Sequence, residues 1–375
     1  MSKATFDETR YNDTTAPDFQ DVLRRSLKRR SVLKSGSALA ALSMMGGLAG
    51  CSDDNDDDND QKAPKLGFNS IEGSKTDAVV VADNYKAQVL APWGTPLNDN
   101  AAEWKDDGTN TPTDALNSVG MHHDGMHFFP LNGDTDGLLC INHEYIDQNA
   151  LHPDGATSTQ VMVDGVAIDV RPVDEVLKEI YAHGVTVVRI VKTDGVWEVV
   201  KNDPHNKRYT GATEFDLAGP VAGSTLVQTK FSPNGMTARG TLNNCGNGYT
   251  PWGTYLTCEE NWPGYFTNNG ERTEDQIRIG LSTGGTRYGW ETPAGDAAER
   301  NDEFARFNVT PSADSHLMDY RNEASGHGYI VEIDPYSPNA NAVKRTALGR
   351  FRIEGCVTGK IEAGKPLVFY SRHDA

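Results

Sequence analysis

The chain has 375 residues, enough for one large domain or two ordinary ones. Its net charge of −18, from 35 Lys and Arg against 53 Asp and Glu, argues against nucleic acid as a partner, because a phosphate backbone would be repelled. The same charge suits cations such as Ca²⁺, and a hydrophobic content of 37% with 37 glycines and 18 prolines describes a loop-rich globular chain rather than a membrane one.

Residues 1–28 are polar and irregular, and Arg29 and Arg30 then precede Ser31-Val-Leu-Lys and an apolar stretch from Ser37 to Gly50. That stretch is too short to span a bilayer as a mature helix. A charged region followed by a short apolar one is an export signal, and the paired arginines mark the twin-arginine route, which carries folded proteins. The signal region therefore covers residues 1–50, with the twin-arginine export machinery as its partner. It ends Leu48-Ala49-Gly50-Cys51, the pattern of a lipid-anchored cysteine at a membrane surface; the alternative is a plain signal cut nearby, with Cys51 incidental. The protein is expected to be periplasmic or a membrane-anchored lipoprotein. Residues 51–64 hold a run from Cys51 to Asp60 with six aspartates and no other apolar residue, which cannot bury a core and reads as a disordered tether.

From Lys65 onward the chain reads as β-rich. Val185–Lys192 and Val196–Val200 flank Thr-Asp-Gly and predict a hairpin, since Asp-Gly takes the positive φ angles of a tight turn. Gly328–Asp334 and Pro366–Ser371 predict further strands. One helix interrupts them, from about Pro172 to His183: Val173, Val176, Leu177 and Ile180 fall on one face, and Gly184 stands where a C-cap belongs. Many short strands between Gly/Asn/Asp loops point to an all-β sandwich, barrel or propeller with minor helices.

Four patches carry candidate chemistry. In Asp136–Tyr145, strand alternation would put Cys140, Asn142 and Glu144 on one face and Ile141 and His143 on the other. That face suits a cation, and a buried structural cysteine beside a polar edge accounts for it equally. His122, His123 and His127 invite a metal reading, with a loop hydrogen-bond network as the alternative. Glu259 and Glu260 end a predicted strand, and Glu259, which shares a face with Thr257, is expected to look into a site. Arg350, Arg352 and Glu354 share a predicted face, an arrangement suited to phosphate or to a surface ion pair.

In this order, the strings Gln88-Val-Leu-Ala-Pro-Trp-Gly, Met121-His-His-Asp-Gly-Met-His-Phe-Phe-Pro, Leu139-Cys-Ile-Asn-His-Glu-Tyr, Pro251-Trp-Gly-Thr-Tyr-Leu-Thr-Cys-Glu-Glu-Asn and Gly349-Arg-Phe-Arg-Ile-Glu-Gly resemble the PhoX-type bacterial alkaline phosphatases, over residues from about 66 to the C-terminus. The resemblance implies a β-propeller over residues 65–375 whose funnel holds iron and calcium, a phosphoric monoester hydrolase releasing inorganic phosphate from small phosphomonoesters, and a monomer. It implies that Cys140 bridges iron, that Glu144, Glu259 or Glu260, and Glu354 ligate iron or calcium, and that Arg352 contacts the phosphoryl oxygens, with Asn142 and His143 beside them in the catalytic segment.

Two departures stand out. The family motif Arg-His-Glu-Gly-Ala reads Arg352-Ile353-Glu354-Gly355-Cys356 here, and the chain stops at Ala375 where family members continue. A C-terminally truncated, incomplete propeller with an exposed sheet edge is therefore expected. That leaves two other readings beside the phosphatase: a non-catalytic propeller lipoprotein binding calcium or phosphate compounds, and a secreted hydrolase with zinc on the three histidines. Of the remaining cysteines, Cys245 and Cys258 are candidates for a disulfide, although spacing does not decide pairing.

Overall fold

The computed structural model describes residues 69–163, 165–292 and 302–373. The signal residues Arg29 and Arg30, the lipidation candidate Cys51 and the tether lie outside the described residues. Every element below belongs to the unit Ile71–Ala375. No helix among the described residues is long and apolar enough to cross a membrane.

Strands dominate, and the hairpin forms where the sequence predicts it. Asp194 and Gly195 take φ of 52° and 84°, so a tight turn joins Thr193 directly to its partner Val196. The first sheet is built around this hairpin. β1 (His123–Pro130), β2 (Asp136–His143), β5 (Gly184–Thr193) and β6 (Val196–Val199) follow in antiparallel order, and β7 (Lys207–Tyr209) shares with β6 the remaining edge of β5.

Between β2 and β5 the chain inserts a ribbon, β3 (Thr159–Val163) with β4 (Val166–Val170), and the helix Val173–Ala182. The helix buries Val176 and Ile180 completely, while Val173 and Leu177 pack against the same aromatic core of Trp262, Tyr265, Trp290 and Phe307. It ends where Gly184 adopts φ of 100°; a side chain there would stand 2.0 Å from the Tyr209 carbonyl. Helix geometry thus stops one residue before the longest strand because only glycine fits the reversal.

The second sheet runs β10 (Asn244–Tyr249), β11 (Tyr255–Glu259), β12 (Ile330–Ile333), β13 (Val343–Arg345), β8 (Glu214–Ala218) and β9 (Thr237–Arg239). Its pairs are antiparallel except β13 with β8. A third ribbon pairs β14 (Ile353–Thr358) with β15 (Phe369–His373). The predicted strand Pro366–Ser371 is thereby displaced toward the C-terminus, because residues up to Val368 close the turn and only Phe369 reaches register with Thr358.

Three strands from separate sheets meet with little side chain between them. A Cβ on Gly246 would fall 1.9 Å from the Glu354 carbonyl, and one on Gly248 would fall 1.6 Å from that of Cys356. On the other flank a Cβ on Gly125 would press within 2.8 Å of the Asn247 side chain. β10 therefore lies directly against β14 because glycine alternates along it, and against β1 because Gly125 leaves room for Asn247.

Glu259, at the end of β11, is wholly buried against Lys344 of β13, with Nζ donating to Oε1 at 2.8 Å and to the Gly326 carbonyl at 2.7 Å. The other carboxylate oxygen accepts from the Gly328 and Tyr329 amides at 2.8 and 3.1 Å. Such a pair tolerates burial because nearly every lone pair and proton is used. Lys344→Met leaves this charge uncompensated and should cost about 3–5 kcal/mol in denaturant unfolding. Adding Glu259→Leu should recover only part, since both amides then lose their acceptor. Gly248→Ala should lower the melting temperature by several degrees through the collision with Cys356, whereas Gly355→Ala, with open space around it, should change it little.

Candidate metal centre

The strands that meet at the glycine seam each lose regular pairing at one acidic or thiol residue. β1 breaks register between His123 and Met126, around Asp124. β10 breaks it between Asn244 and Asn247, around Cys245, and β14 between Ile353 and Gly355, around Glu354. Bulges re-aim side chains, and they recur beside functional sites. Here two of them, with the residue that follows β2, bring Asp124, Glu144 and Cys245 together, their ligand atoms all within 4.8 Å of one another.

Asn142 of β2 holds the arrangement in place. Its Nδ2 donates to the Cys245 and Gly246 carbonyls at 2.5 and 3.1 Å, and its Oδ1 accepts from the Tyr255 hydroxyl at 2.9 Å. Glu144 leaves the strand face by donating its own amide to the His122 carbonyl at 3.0 Å. Glu260 joins the group electrostatically. Burial first, and then the charges of Asp124 and Glu260, push the Glu144 carboxyl up to about 7. Burial and the same two acids push the Cys245 thiol far above its ordinary range. Acidic groups crowded this closely must share protons or hold cations. Carboxylate oxygens suit hard ions such as calcium and a thiolate suits iron, so the donor set fits a mixed centre.

The predicted site residues divide. Glu144 is in the cluster and Glu260 acts on it; Asn142 braces its backbone. Cys140 requires correction: it is fully buried among Phe129, Leu138, Val185 and Tyr255, and burial alone raises its thiol well above the usual range. Alternation does place Cys140 and Asn142 on one face, but that face is the interior, and the thiol beside the acids belongs to Cys245. Glu259 is corrected in the same way, because its carboxylate is spent on Lys344 and two amides, while Glu260, just past the strand end, accepts from the Asn261 side chain at 2.7 Å and acts on Glu144 electrostatically.

His143 also faces inward, with Nε2 2.6 Å from the Thr186 hydroxyl, and burial depresses its basicity strongly. Arg350 and Arg352 precede β14 rather than lying along it. Arg352 donates to the Ile279 carbonyl at 2.8 Å, and with Arg278, Arg350, Trp262 and His373 it lines a groove of about 420 Å³. The Glu354 carboxylate pairs with Arg372 at 2.7 Å, although its backbone abuts Gly246.

The three histidines do not converge. His122 stacks on Tyr145 with centroids 3.9 Å apart, His127 stacks on Tyr249 at 4.1 Å, and His123 binds the Gly120 carbonyl. The disulfide is absent too: Cys245 and Cys258 are free thiols, the latter buried with Cys356 in a separate apolar cluster. Asp124 and Cys245 join the cluster without being expected there from the sequence motifs. The signal for Cys245 was the Gly246 and Gly248 alternation just after it, which marks a strand approached closely by another backbone.

The raised Glu144 carboxyl gives the metal-free protein a defined pH dependence. The native state keeps a proton between about 4.5 and about 7 that the unfolded chain has released, so stability falls as pH rises through that window. In chelator, the melting temperature should drop across it, Glu144→Gln should flatten the drop, and divalent cation should restore the loss at alkaline pH.

The family model described as alkaline phosphatase PhoX matches residues 66–375. A solved structure of Pseudomonas fluorescens PhoX in complex with vanadate, a transition state analogue, is similar at 32% identity with a TM-score of 0.71, covering 83% of this chain and 49% of that one. The chain thus spans about half the length of that protein. Comparison with curated proteins returns no match. With its described core aligned to that structure and the family model extending from residue 66 to 375, the chain belongs to the PhoX alkaline phosphatase family.

Proposed function

We propose that the protein is an exported, metal-dependent phosphomonoesterase. The observation that carries this reading is the convergence of Asp124, Glu144 and Cys245 at strand irregularities, in a chain of this family. The vanadate bound by the Pseudomonas relative is a mimic of a phosphoryl group in transfer, and the same class of ligand is proposed here.

Cys245, with Asp124, Glu144 and Glu260, would hold iron and calcium; when bound, such ions neutralise the charge that develops on a transferred phosphoryl group and activate an oxygen nucleophile. The chain's own residues do the rest. Asn142 fixes the carbonyls on either side of the Cys245–Gly246 peptide, which keeps the thiol aimed at the acids. Arg352, at the edge of its groove, would meet the phosphoryl oxygens, and the groove would admit the organic part of the ester. β1, β10 and β14 are proposed as the innermost strands of successive propeller blades, which would set the metal cluster in a central funnel. Export by the twin-arginine signal, with Cys51 lipidated, would bring a folded, metal-loaded protein to organic phosphate outside the cytoplasm.

Hydrolysis of a chromogenic phosphomonoester at alkaline pH, measured with calcium and then with chelator, tests the reading. Turnover should require the metal. Cys245→Ser should lower iron content and cut kcat by at least about 100-fold, a loss on the scale of removing a main electrostatic stabiliser. Cys140→Ser should leave both in place and cost only stability, because it touches core side chains alone. Absence of turnover from the folded, metal-loaded chain would overturn the proposal and leave a phosphate- or calcium-binding protein.

A further inference from the structure

Asn243 belongs to none of the sequence motifs and to none of the sites assigned above, yet its hydrogen bonds reach the segments that carry the ligands. It is buried and directly precedes β10, with a backbone φ of 53°. That left-handed geometry is rare outside glycine, and asparagine is one of the few residues that tolerate it. In this conformation its carbonyl accepts the Glu260 amide at 3.1 Å, while its Oδ1 accepts the next amide, that of Asn261, at 2.7 Å. Asn261 in turn donates from its side chain to Glu260 Oε1 at 2.7 Å, so the hold on the backbone extends to the carboxylate.

The nitrogen of the same side chain turns to the other ligand segment. Asn243 Nδ2 donates to the Glu144 carbonyl at 3.3 Å and lies 3.5 Å from Tyr265 Oη. That hydroxyl reaches the Glu144 carbonyl at 3.5 Å and the buried His183 Nε2 at 2.9 Å. The Glu144 amide is already tied to the His122 carbonyl, two residues before Asp124, so the backbone of Glu144 is held on both sides. Cys245 follows Asn243 by two residues, at the register break of β10.

The neighbouring Asn244 shows what a purely internal asparagine does here. It is equally buried, and its Nδ2 donates to the hydroxyls of Thr241 and Thr257 at 2.6 and 2.9 Å, neither of which carries a ligand. Asn243 instead joins residues 99 and 18 positions away, each next to or within the acidic cluster. Ligands from distant segments bind a cation tightly only when their spacing is fixed beforehand, and the groups that orient them are typically worth about 10- to 100-fold in affinity.

We propose that Asn243 is a positioning residue of the metal centre, clamping the backbone of Glu144 to that of Glu260 and setting where Cys245 enters β10. It acts through those ligands. The inference rests on the metal-centre reading and needs no assumption about turnover.

Calcium titration of the full chain against a chromophoric chelator tests it, paired with the iron content after loading and the melting temperature of the metal-free protein. Asn243→Gly keeps the left-handed backbone without strain and removes both side-chain bonds. It should weaken calcium binding about 10- to 100-fold and lower the iron content, while the metal-free melting temperature falls by no more than about a few degrees. Asn243→Asp keeps the acceptor for Asn261 but lacks the donor to Glu144. It should also weaken calcium binding, by a smaller factor despite its added charge, and it decides the matter if the glycine variant does not fold. Thr257→Val removes a buried hydrogen bond of Asn244 and should lower the melting temperature at unchanged calcium affinity. Wild-type calcium affinity in Asn243→Gly, or in Asn243→Asp where the glycine variant is unfolded, overturns the proposal. So does an equal loss of affinity in Thr257→Val, which would make the effect one of general stability. A wild-type chain that binds no calcium overturns the metal-centre reading and this one together. Calcium binding that depends on Asn243 without phosphomonoester turnover would sink the phosphatase reading and leave the clamp standing.

Discussion

The approach of β10 to both β1 and β14 is the contact on which the rest of the molecule depends. Ordinary neighbouring sheets are held about 10 Å apart by their side chains. Gly125, Gly246 and Gly248 remove that spacer, so three backbones from separate sheets touch. The closeness brings Asp124 and Cys245 within ligand distance of Glu144, since short acidic and thiol side chains reach only a few ångströms. A methyl group at Gly246 or Gly248 would occupy the space of a carbonyl oxygen, and the ligands would part with the strands.

Close approach alone would leave the side chains on the wrong faces. Regular alternation along β2 sends Cys140 into the core and Asn142 after it, and neither reaches the acids. The bulges on β1 and β10 break that rule at one residue each, and Glu144 escapes it by lying just past the strand end. Asn142 converts the core-facing position into a brace, joining β2 to the irregular backbone of β10. Binding groups thus sit where the sheet fails locally, supported by groups in places where it holds.

The buried acids of this protein separate by their partners. Glu259 and Glu179 are completely enclosed, yet each is matched, Glu259 by Lys344 and Glu179 by Arg171, His152 and Trp290. Their charges are neutralised within the fold and stabilise it only as intact networks. Asp124, Glu144 and Glu260, less enclosed than these two, lie beside one another and a thiol. Matched acids hold the scaffold, whereas acids gathered beside a thiol offer ligands to a cation.

Local chemistry was plain along the chain. Apolar residues at helical spacing located Val173–Ala182, Asp194-Gly195 located the hairpin, and five strings carried the family. Glu144 was legible because it closes one of those strings. The choice between Cys140 and Cys245, and between Glu259 and Glu260, was not, because an alternating pattern says which residues share a face but not which face looks inward. That depends on the neighbouring sheet, and on register breaks that leave no periodic trace.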